Sequence, residues 1–206
     1  MMENNNLEFS DFDLELKKYA LDNHVPIIID EGLSFLELLI RISRPKKILE
    51  IGTAIAYSAI RMSRVCGSEV YTIERNPIMY EEAKKNISKA LLEDKIHLIF
   101  HDALEAYELV KDNQFDLIFI DAAKAQYQKF FDIYTPLLSA NGFVVCDNME
   151  FHGLVNDKEN YEKQSRAVRG IIRKLAGFHD NLIKNPNFNT VVYDIGDGMA
   201  VSVPKK

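Results

Sequence analysis

The feature that most constrains this chain is a repeated alternation of short apolar runs with helical segments between residues 47 and 178. Apolar runs of this length, bounded by turn residues, are typical of strands buried on both faces of a parallel sheet. Strands that alternate with helices predict a doubly wound α/β sheet. The predicted strands cover residues 47–51, 70–73, 96–100, 115–120 and 143–146.

The two ends of the chain add elements of another kind. Helical spacing predicts helices over 9–21, with Ser10 as N-cap, and over 31–42, which form an N-terminal helical extension spanning 1–44. Two short strands, 190–194 and 199–203, flank a Gly-Asp-Gly turn that is typical of a hairpin. We therefore predict one domain, 1–206, with a mainly parallel, seven-stranded Rossmann-like sheet and a terminal antiparallel hairpin. The remaining predicted helices cover 55–65, 77–91, 103–110, 126–138 and 161–178.

Composition excludes several classes of protein. Hydrophobic residues make up 47% of the chain and charged residues 27%, and no apolar stretch is long enough to cross a bilayer, so we expect no membrane partner. The polar N-terminus is unlike a signal peptide, and Cys66 and Cys146 lack metal or redox spacing. We therefore expect a cytoplasmic protein with reduced thiols. The net charge of −6 opposes nonspecific binding of nucleic acid by the whole surface, but not by a local basic patch.

Acidic and amide side chains follow two of the predicted strands. Asp121 follows the run 115–120, and Asp147 and Asn148 follow the run 143–146. Ligands of open α/β sheets bind outside the carboxyl ends of the strands, where these side chains would meet. Their oxygens suit a hard cation such as Mg²⁺, with Mn²⁺ as an alternative. Lys124 is the candidate general base for a hydroxyl bound there, although it could also be a surface lysine at a helix start, and Asp121 a helix N-cap.

Gly52, Glu74 and Asp102 each follow one of the first three predicted strands, and together they indicate a nucleoside-bearing cofactor. Gly52 permits a tight turn and a close backbone approach to a ligand, without the G-x-G-x-x-G or P-loop pattern that a pyrophosphate requires. Glu74 is placed to accept hydrogen bonds from ribose hydroxyls, and Asp102 is placed for adenine contacts. Singly, these residues could be a structural turn, a solvated acid and an N-cap. Together they favour a cofactor that lies across successive strand ends.

In combination, these motifs resemble the class I S-adenosylmethionine-dependent O-methyltransferases of the metal-dependent catechol and caffeoyl-CoA group. A closer resemblance, covering nearly the whole chain from about residue 10, is to the bacterial tRNA 5-hydroxyuridine methyltransferases. The group resemblance is carried by Glu50-Ile51-Gly52-Thr53-Ala54, Tyr57-Ser58, Ile73-Glu74, Asp102-Ala103, Asp121-Ala122-Ala123-Lys124 and Asp147-Asn148. The closer one adds, among others, His24-Val25-Pro26-Ile27-Ile28, Lys124-Ala125-Gln126-Tyr127-Gln128 and Gly196-Asp197-Gly198-Met199-Ala200.

The resemblance implies S-adenosylmethionine as methyl donor, a bound Mg²⁺ and a homodimer. It implies cofactor contacts from Ile28, Gly52, Ser58, Glu74, His101, Asp102 and Asp121. It implies metal ligation by Asp121, Asp147 and Asn148, and catalytic roles for Lys124 and Asp121. Two positions depart from the group, which usually has glycine at Ala56 and at His101; the Ala56 methyl would narrow the methionine end of the pocket or shift the turn.

The acceptor must offer two adjacent oxygens that chelate one cation. Both 5-hydroxyuridine and a catechol do so. Arg166, Arg169 and Arg173 recur at spacings that place them on one helix face, where they could bind RNA phosphates, or simply form a solvated face. Tyr127 and Phe151 are candidates for stacking on a base, or for packing. The preferred prediction is methylation of 5-hydroxyuridine at the wobble position of the tRNA anticodon loop. The alternatives are a small catechol-type phenol or caffeoyl-CoA-like acceptor, and a non-catalytic nucleoside-cofactor-binding regulatory module.

Overall fold

The computed structural model describes residues 10–150 and 158–205, and it confirms the predicted sheet. Seven strands lie in the order β3-β2-β1-β4-β5-β7-β6; β1 to β5 are parallel, and the hairpin β6–β7 pairs antiparallel with β5. The direction of winding reverses between β1 and β4, which is where open α/β sheets bind ligands. The strands are β1 (Lys47–Ile51), β2 (Glu69–Glu74), β3 (Ile96–Phe100), β4 (Phe115–Ile120), β5 (Leu138–Cys146), β6 (Phe188–Tyr193) and β7 (Met199–Pro204).

Helices cover both faces of the sheet. One core lies against α1 to α4 and contains Ile48 and Val145; the other lies against α5, α6 and α8 and contains Leu49 and Val144. Successive residues of each central strand thus enter opposite cores, which explains why these strands are continuously apolar. The helices are α1 (Asp11–Asp22), α2 (Asp30–Ser43), α3 (Tyr57–Cys66), α4 (Pro77–Lys89), α5 (Tyr107–Val110), α6 (Tyr127–Tyr134), α7 (Lys158–Lys163) and α8 (Arg166–Ile183).

The N-terminal extension is fastened to α3 by buried charges. Ser10 caps α1 as predicted: its hydroxyl accepts from the Asp13 N–H, and the Asp13 carboxylate accepts from the Ser10 N–H. Asp13 also pairs with Arg61 of α3 at 3.0 Å, and Arg61 pairs with Glu37 of α2 at 2.7 Å. Removing one partner would leave a buried charge uncompensated, which is strongly destabilising. The pairs therefore hold α1 and α2 in place, and with them the connecting segment 23–28.

Several predicted helix boundaries are wrong, including that of the helix predicted over 103–110, which begins at Tyr107; three of the differences have a clear local cause. The helix predicted over 126–138 ends at Tyr134, because Pro136 cannot continue it; a 3₁₀ turn follows, and Leu138 already begins β5. The helix predicted over 161–178 is two helices, and Ser165 caps the second by accepting from the Val168 N–H. The helix predicted from residue 55 begins at Tyr57, because the preceding residue is left-handed.

Two expectations drawn from composition concern the cysteine thiols and the length and apolar character of the helices. Cys66 and Cys146 are free thiols. Among the helices of 10–150 and 158–205, none has the length and apolar character needed to cross a membrane.

Candidate active site

A cavity of about 470 Å³ opens at the carboxyl ends of β1 to β4, within the size range of small-ligand sites. Its walls are the loops that follow these strands, together with the segment 23–28 of the N-terminal extension. All seven predicted cofactor residues line this one cavity: Ile28, Gly52, Ser58, Glu74, His101, Asp102 and Asp121. Lys124 and Asn148 line it as well. The structure therefore brings together the two groups of residues that the sequence analysis treated separately.

The turn after β1 requires glycine at position 52. Gly52 has φ +101°, and a Cβ built on it would lie 2.1 Å from the backbone oxygen of Asp121. Glu74 braces the same turn: one carboxylate oxygen accepts from the Ala54 N–H at 2.8 Å, and the other accepts from the Asn76 N–H at 2.7 Å. The acid predicted for ribose binding thus also fixes the loop that forms the cavity floor.

A buried carboxyl group lies directly beneath this turn. Glu50 accepts hydrogen bonds from the hydroxyls of Ser58 and Thr72, each at 2.5 Å, and Thr72 is bonded to Thr53 at 2.6 Å. Burial, opposed by these two hydrogen bonds and reinforced by the charges of Asp121 and Glu74, raises the pKa of Glu50 to about 8. Ser58 lines the cavity as predicted, but its hydroxyl donates to Glu50. Sequence reasoning missed this role of Glu50, since a hydroxyl network is invisible in a strand's apolar pattern.

Because the pKa of Glu50 is higher in the folded chain than in the unfolded chain, folding takes up a proton at pH values between the two. The free energy of unfolding should therefore depend on pH. Above its unfolded pKa of 4.5 the unfolded chain loses the proton that the folded chain keeps up to pH about 8. Stability therefore falls as pH rises through this window, toward a slope of about 1.4 kcal/mol per pH unit from this group. We expect Glu50→Gln to remove this contribution, measured as the urea unfolding free energy between pH 5 and 9.

A matched control is Glu81→Gln, an exposed glutamate on α4, which should keep the wild-type slope. The opposite result, equal pH slopes for Glu50→Gln and wild type, would show that Glu50 is ionised in the folded protein.

The two departures from the family pattern have different consequences. Ala56 adopts a left-handed conformation with φ 65°, the reason a glycine suits this position. Its side chain is buried in the core and does not line the cavity, so the predicted narrowing of the pocket is wrong; the substitution acts on the backbone instead. The His101 ring nitrogen Nδ1 lies 3.2 Å from the Asp102 carbonyl oxygen, which folds the ring back on its own loop.

The loop after β3 is stabilised by Asp102. One oxygen of its carboxylate accepts from the Leu104 N–H at 2.9 Å, and the other accepts from Arg75 at 3.1 Å. These contacts hold the pKa of Asp102 below its usual range. The predicted cofactor residue is therefore also a local turn residue, and both of its oxygens are already engaged.

The acidic end of the cavity is built by β4 and β5. Because Ile120 pairs with Cys146, Asp121 and Asp147 follow at neighbouring positions of adjacent strands, and their backbone amides extend the ladder to Ile51 and Ile120. Burial raises the pKa of Asp121 to about 6, against the charge of Lys124. Burial and the charge of Asp121 raise the pKa of Asp147 to about 7. Two carboxylates thus share a buried site that needs positive charge.

The donors present suit a divalent cation. Asp147 Oδ2 is buried with no hydrogen-bond partner among the described residues, an arrangement that costs free energy unless a ligand satisfies it. Asp147 Oδ1 accepts from the Asn148 N–H at 2.7 Å, while the Asn148 side-chain oxygen accepts from Lys124 at 2.5 Å. Asp121 does not cap a helix, because the following 3₁₀ turn, Lys124–Gln126, has Ala123 at that position and no side-chain cap.

Asp197 is a site residue that the sequence analysis used only as a turn signal. Its charge raises the pKa values of both Asp121 and Asp147, so it lies close to the acidic end. Register places it there: Cys146 pairs with Ala200, and the Met149 N–H donates to the Gly198 carbonyl at 2.9 Å. The signal was available, since a hairpin that returns antiparallel to β5 must turn beside the end of that strand.

The structure shows where the predicted RNA-contacting residues lie, while their contact with RNA stays a prediction. Arg166 and Arg173 are exposed on the face of α8 opposite its buried residues, and Arg169 pairs with Glu162 at 3.3 Å. Tyr127 is wrong as a stacking residue, because it is fully buried, donates to the Asp147 carbonyl at 3.1 Å and packs edge-on against Phe178. Phe151 lies outside the described residues.

Comparison with known proteins identifies the class of chain that shares this architecture. Residues 12–205 match the family model described as O-methyltransferase. A catechol O-methyltransferase of Niastella koreensis is 32% identical over 180 residues, which cover 83% of this chain and 79% of that protein.

Two solved structures share the fold over nearly the whole length. A Staphylococcus aureus protein, provisionally assigned as a caffeoyl-CoA O-methyltransferase, is 41% identical with a TM-score of 0.90, covering 96% of this chain and 93% of that one. The Podospora anserina methyltransferase PaMTH1, solved with S-adenosylhomocysteine bound, is 26% identical with a TM-score of 0.83, covering 98% and 91%.

Proposed function

This chain belongs to the S-adenosylmethionine-dependent O-methyltransferase family, and from that membership we propose that it methylates a hydroxyl of an acceptor with two adjacent oxygens, of catechol or caffeoyl-CoA type. The observation that carries the proposal is the pair of carboxylates formed by the half-buried Asp121 and the buried Asp147, beside Asn148 and Lys124, at the end of a cavity lined by the predicted cofactor residues. An acceptor that chelates a cation through two oxygens fits this donor set. Of the relatives named above, one is a catechol O-methyltransferase and another is provisionally assigned as a caffeoyl-CoA O-methyltransferase.

The residues divide into two groups by what they would hold. Asp121, Asp147 and Asn148 would hold Mg²⁺. The strongest structural indication is Asp147 Oδ2, which is buried without a hydrogen-bond partner among the described residues. The turn at Gly52 and the loops with Glu74 and Asp102 would hold the cofactor. When bound, S-adenosylmethionine supplies the methyl group, and the divalent cation lowers the pKa of the acceptor hydroxyl. Segment 23–28, which forms part of the cavity wall, would help to exclude water from this site.

We assign Lys124 the role of general base, which accepts the proton of the acceptor hydroxyl. Its Nζ atom lies 2.5 Å from the Asn148 side-chain oxygen and close enough to Asp121 and Asp147 to lower their pKa values. An acceptor hydroxyl at this end of the cavity would therefore lie beside Nζ. In its neutral form Nζ accepts the hydroxyl proton, and as an ammonium group it balances the two carboxylates.

tRNA containing 5-hydroxyuridine is the second candidate acceptor. The relatives reported above do not support it, but one observation favours it: α8, which carries the exposed Arg166 and Arg173, packs against the 3₁₀ turn that contains Lys124. Phosphate contacts from Arg166 and Arg173 could position an anticodon loop there. The homodimer implied by the resemblance stays a prediction.

The proposal predicts acceptor selectivity that depends on two adjacent oxygens. With labelled S-adenosylmethionine and Mg²⁺, we expect the protein to methylate a catechol or caffeoyl-CoA, and to leave the matched monohydroxy phenol unlabelled. EDTA should abolish transfer, because the carboxylates alone cannot activate the hydroxyl, and added Mg²⁺ should restore it. The measurement is label incorporated into each acceptor.

The same assay compares tRNA, the second candidate acceptor, with the catechol-type acceptors. Parallel reactions should use tRNA that contains 5-hydroxyuridine and the same tRNA with uridine at that position. Transfer confined to the 5-hydroxyuridine tRNA would replace the catechol proposal with the tRNA one. Unchanged transfer in EDTA, or equal labelling of phenol and catechol, would overturn the proposed metal-chelating acceptor.

A further inference from the structure

One polar side chain that lines the cavity has a buried oxygen without a hydrogen-bond partner among residues 10–150 and 158–205. Gln126 lines the cavity at the start of α6, and its amide oxygen Oε1 is buried without a hydrogen-bond partner in the described part of the chain. A buried carbonyl oxygen without a partner costs folding free energy. An amide left unsatisfied beside a ligand cavity therefore indicates that the ligand supplies the partner.

Neighbouring contacts place Gln126 at the adenine end of the cavity. Gln126 and Phe130 are four residues apart, and both line the cavity. One further turn along α6, the hydroxyl of Tyr134 donates to the Ala103 carbonyl at 2.6 Å, which ties this side of α6 to the loop after β3. That loop carries Asp102, the residue predicted for adenine contacts. Phe130 provides an apolar wall beside it.

Asp102 has less hydrogen-bonding capacity for the base than its sequence position suggests. Both of its carboxylate oxygens already accept, one from the Leu104 N–H and one from Arg75. The amide oxygen of Gln126, by contrast, accepts no hydrogen bond from the residues that the structure describes. A glutamine amide pairs with adenine through two hydrogen bonds. Its oxygen accepts from the 6-amino group, and its nitrogen donates to ring nitrogen N7.

We propose that Gln126 is the specificity-determining residue for the base of the cofactor and reads the adenine edge with its amide. The inference rests on the cofactor placement proposed above. Rotation about the last side-chain bond turns the amide edge toward the cavity and satisfies Oε1 in the same movement. A hypoxanthine base carries an oxygen in place of the 6-amino group, so it would set two acceptors against each other.

The test compares the binding of S-adenosylhomocysteine and S-inosylhomocysteine by isothermal titration calorimetry, without turnover. We expect the wild-type protein to prefer the adenine ligand by at least about tenfold, the value of one to two hydrogen bonds. Gln126→Leu should weaken S-adenosylhomocysteine by about the same factor and leave S-inosylhomocysteine unchanged, so that the preference disappears. Gln126→Glu, which keeps only acceptors, should keep a preference for adenine.

Gln128→Leu is the matched control, because Gln128 lies two residues away, outside the cavity lining, and bonds Asp132 and Asn181. It should bind both ligands as the wild type does. Equal weakening of both ligands by Gln126→Leu, or an unchanged preference, would overturn the inference while leaving the proposed function intact. Failure of the wild type to bind either ligand would instead contradict the cofactor placement itself.

Discussion

Replacing Asp147 with alanine is expected to abolish methyl transfer while S-adenosylhomocysteine still binds. Asp147 does not line the cofactor part of the cavity, but its unpartnered oxygen and its neighbour Asp121 form the site proposed for the cation. Changes to groups that merely support metal ligands cost 10–100-fold, so loss of a ligand should reduce kcat/KM by at least about a hundredfold. Label transfer and calorimetry of S-adenosylhomocysteine measure the two effects separately.

Stability separates this role from a structural one. Burial and the charge of Asp121 raise the pKa of Asp147, so at pH 8 its ionised form opposes folding of the metal-free protein. Asp147→Asn should therefore melt no lower than wild type at that pH, and it too should be inactive. Asp112→Ala, an exposed aspartate near the opposite end of β4, should leave activity unchanged. A lower melting temperature of Asp147→Asn, together with lost cofactor binding, would make Asp147 a structural residue.

Gly52→Ala is the second change with a large expected effect. The new Cβ would lie 2.1 Å from the Asp121 backbone oxygen, and Asp121 cannot withdraw freely because its N–H donates to the Ile51 carbonyl. The left-handed φ adds strain. We expect a loss of about 4 kcal/mol or more in unfolding free energy, equal to roughly 10 °C for a chain of this size. Displacement of the turn should also weaken S-adenosylhomocysteine by about a hundredfold.

Gly67→Ala provides the matched control. Gly67 also has a left-handed φ, +76°, but a Cβ there would meet no atom within 4 Å. It should therefore show the backbone strain alone, about 1–2 kcal/mol, with unchanged affinity for S-adenosylhomocysteine. Similar losses of stability and affinity in the two variants would mean that the contact between Gly52 and Asp121 is unimportant.

Sequence patterns predicted β1, β3 and β4 to the residue. For β1 and β4 the reason is that strands buried on both faces are largely apolar. The patterns were wrong at Leu138, because an apolar leucine suits the end of a helix and the start of a strand equally well. Its pairing with Phe115 shows that it begins β5. They also failed where a backbone conformation, not a residue type, sets the boundary, as at Ala56, whose left-handed φ delays the start of α3.

What the sequence determined by itself was the order of strands and helices, and with it the meeting of Gly52, Glu74, Asp121 and Asp147 at one edge, because parallel topology brings all strand ends to the same side. What only the tertiary structure decided was which polar groups are already satisfied. Burial favours the protonated form of Glu50, Arg75 already donates to Asp102, and Oε1 of Gln126 and Oδ2 of Asp147 have no hydrogen-bond partner among the described residues. The reason is physical: burial and hydrogen bonding depend on side chains that meet across distant parts of the chain, and no local pattern encodes those meetings.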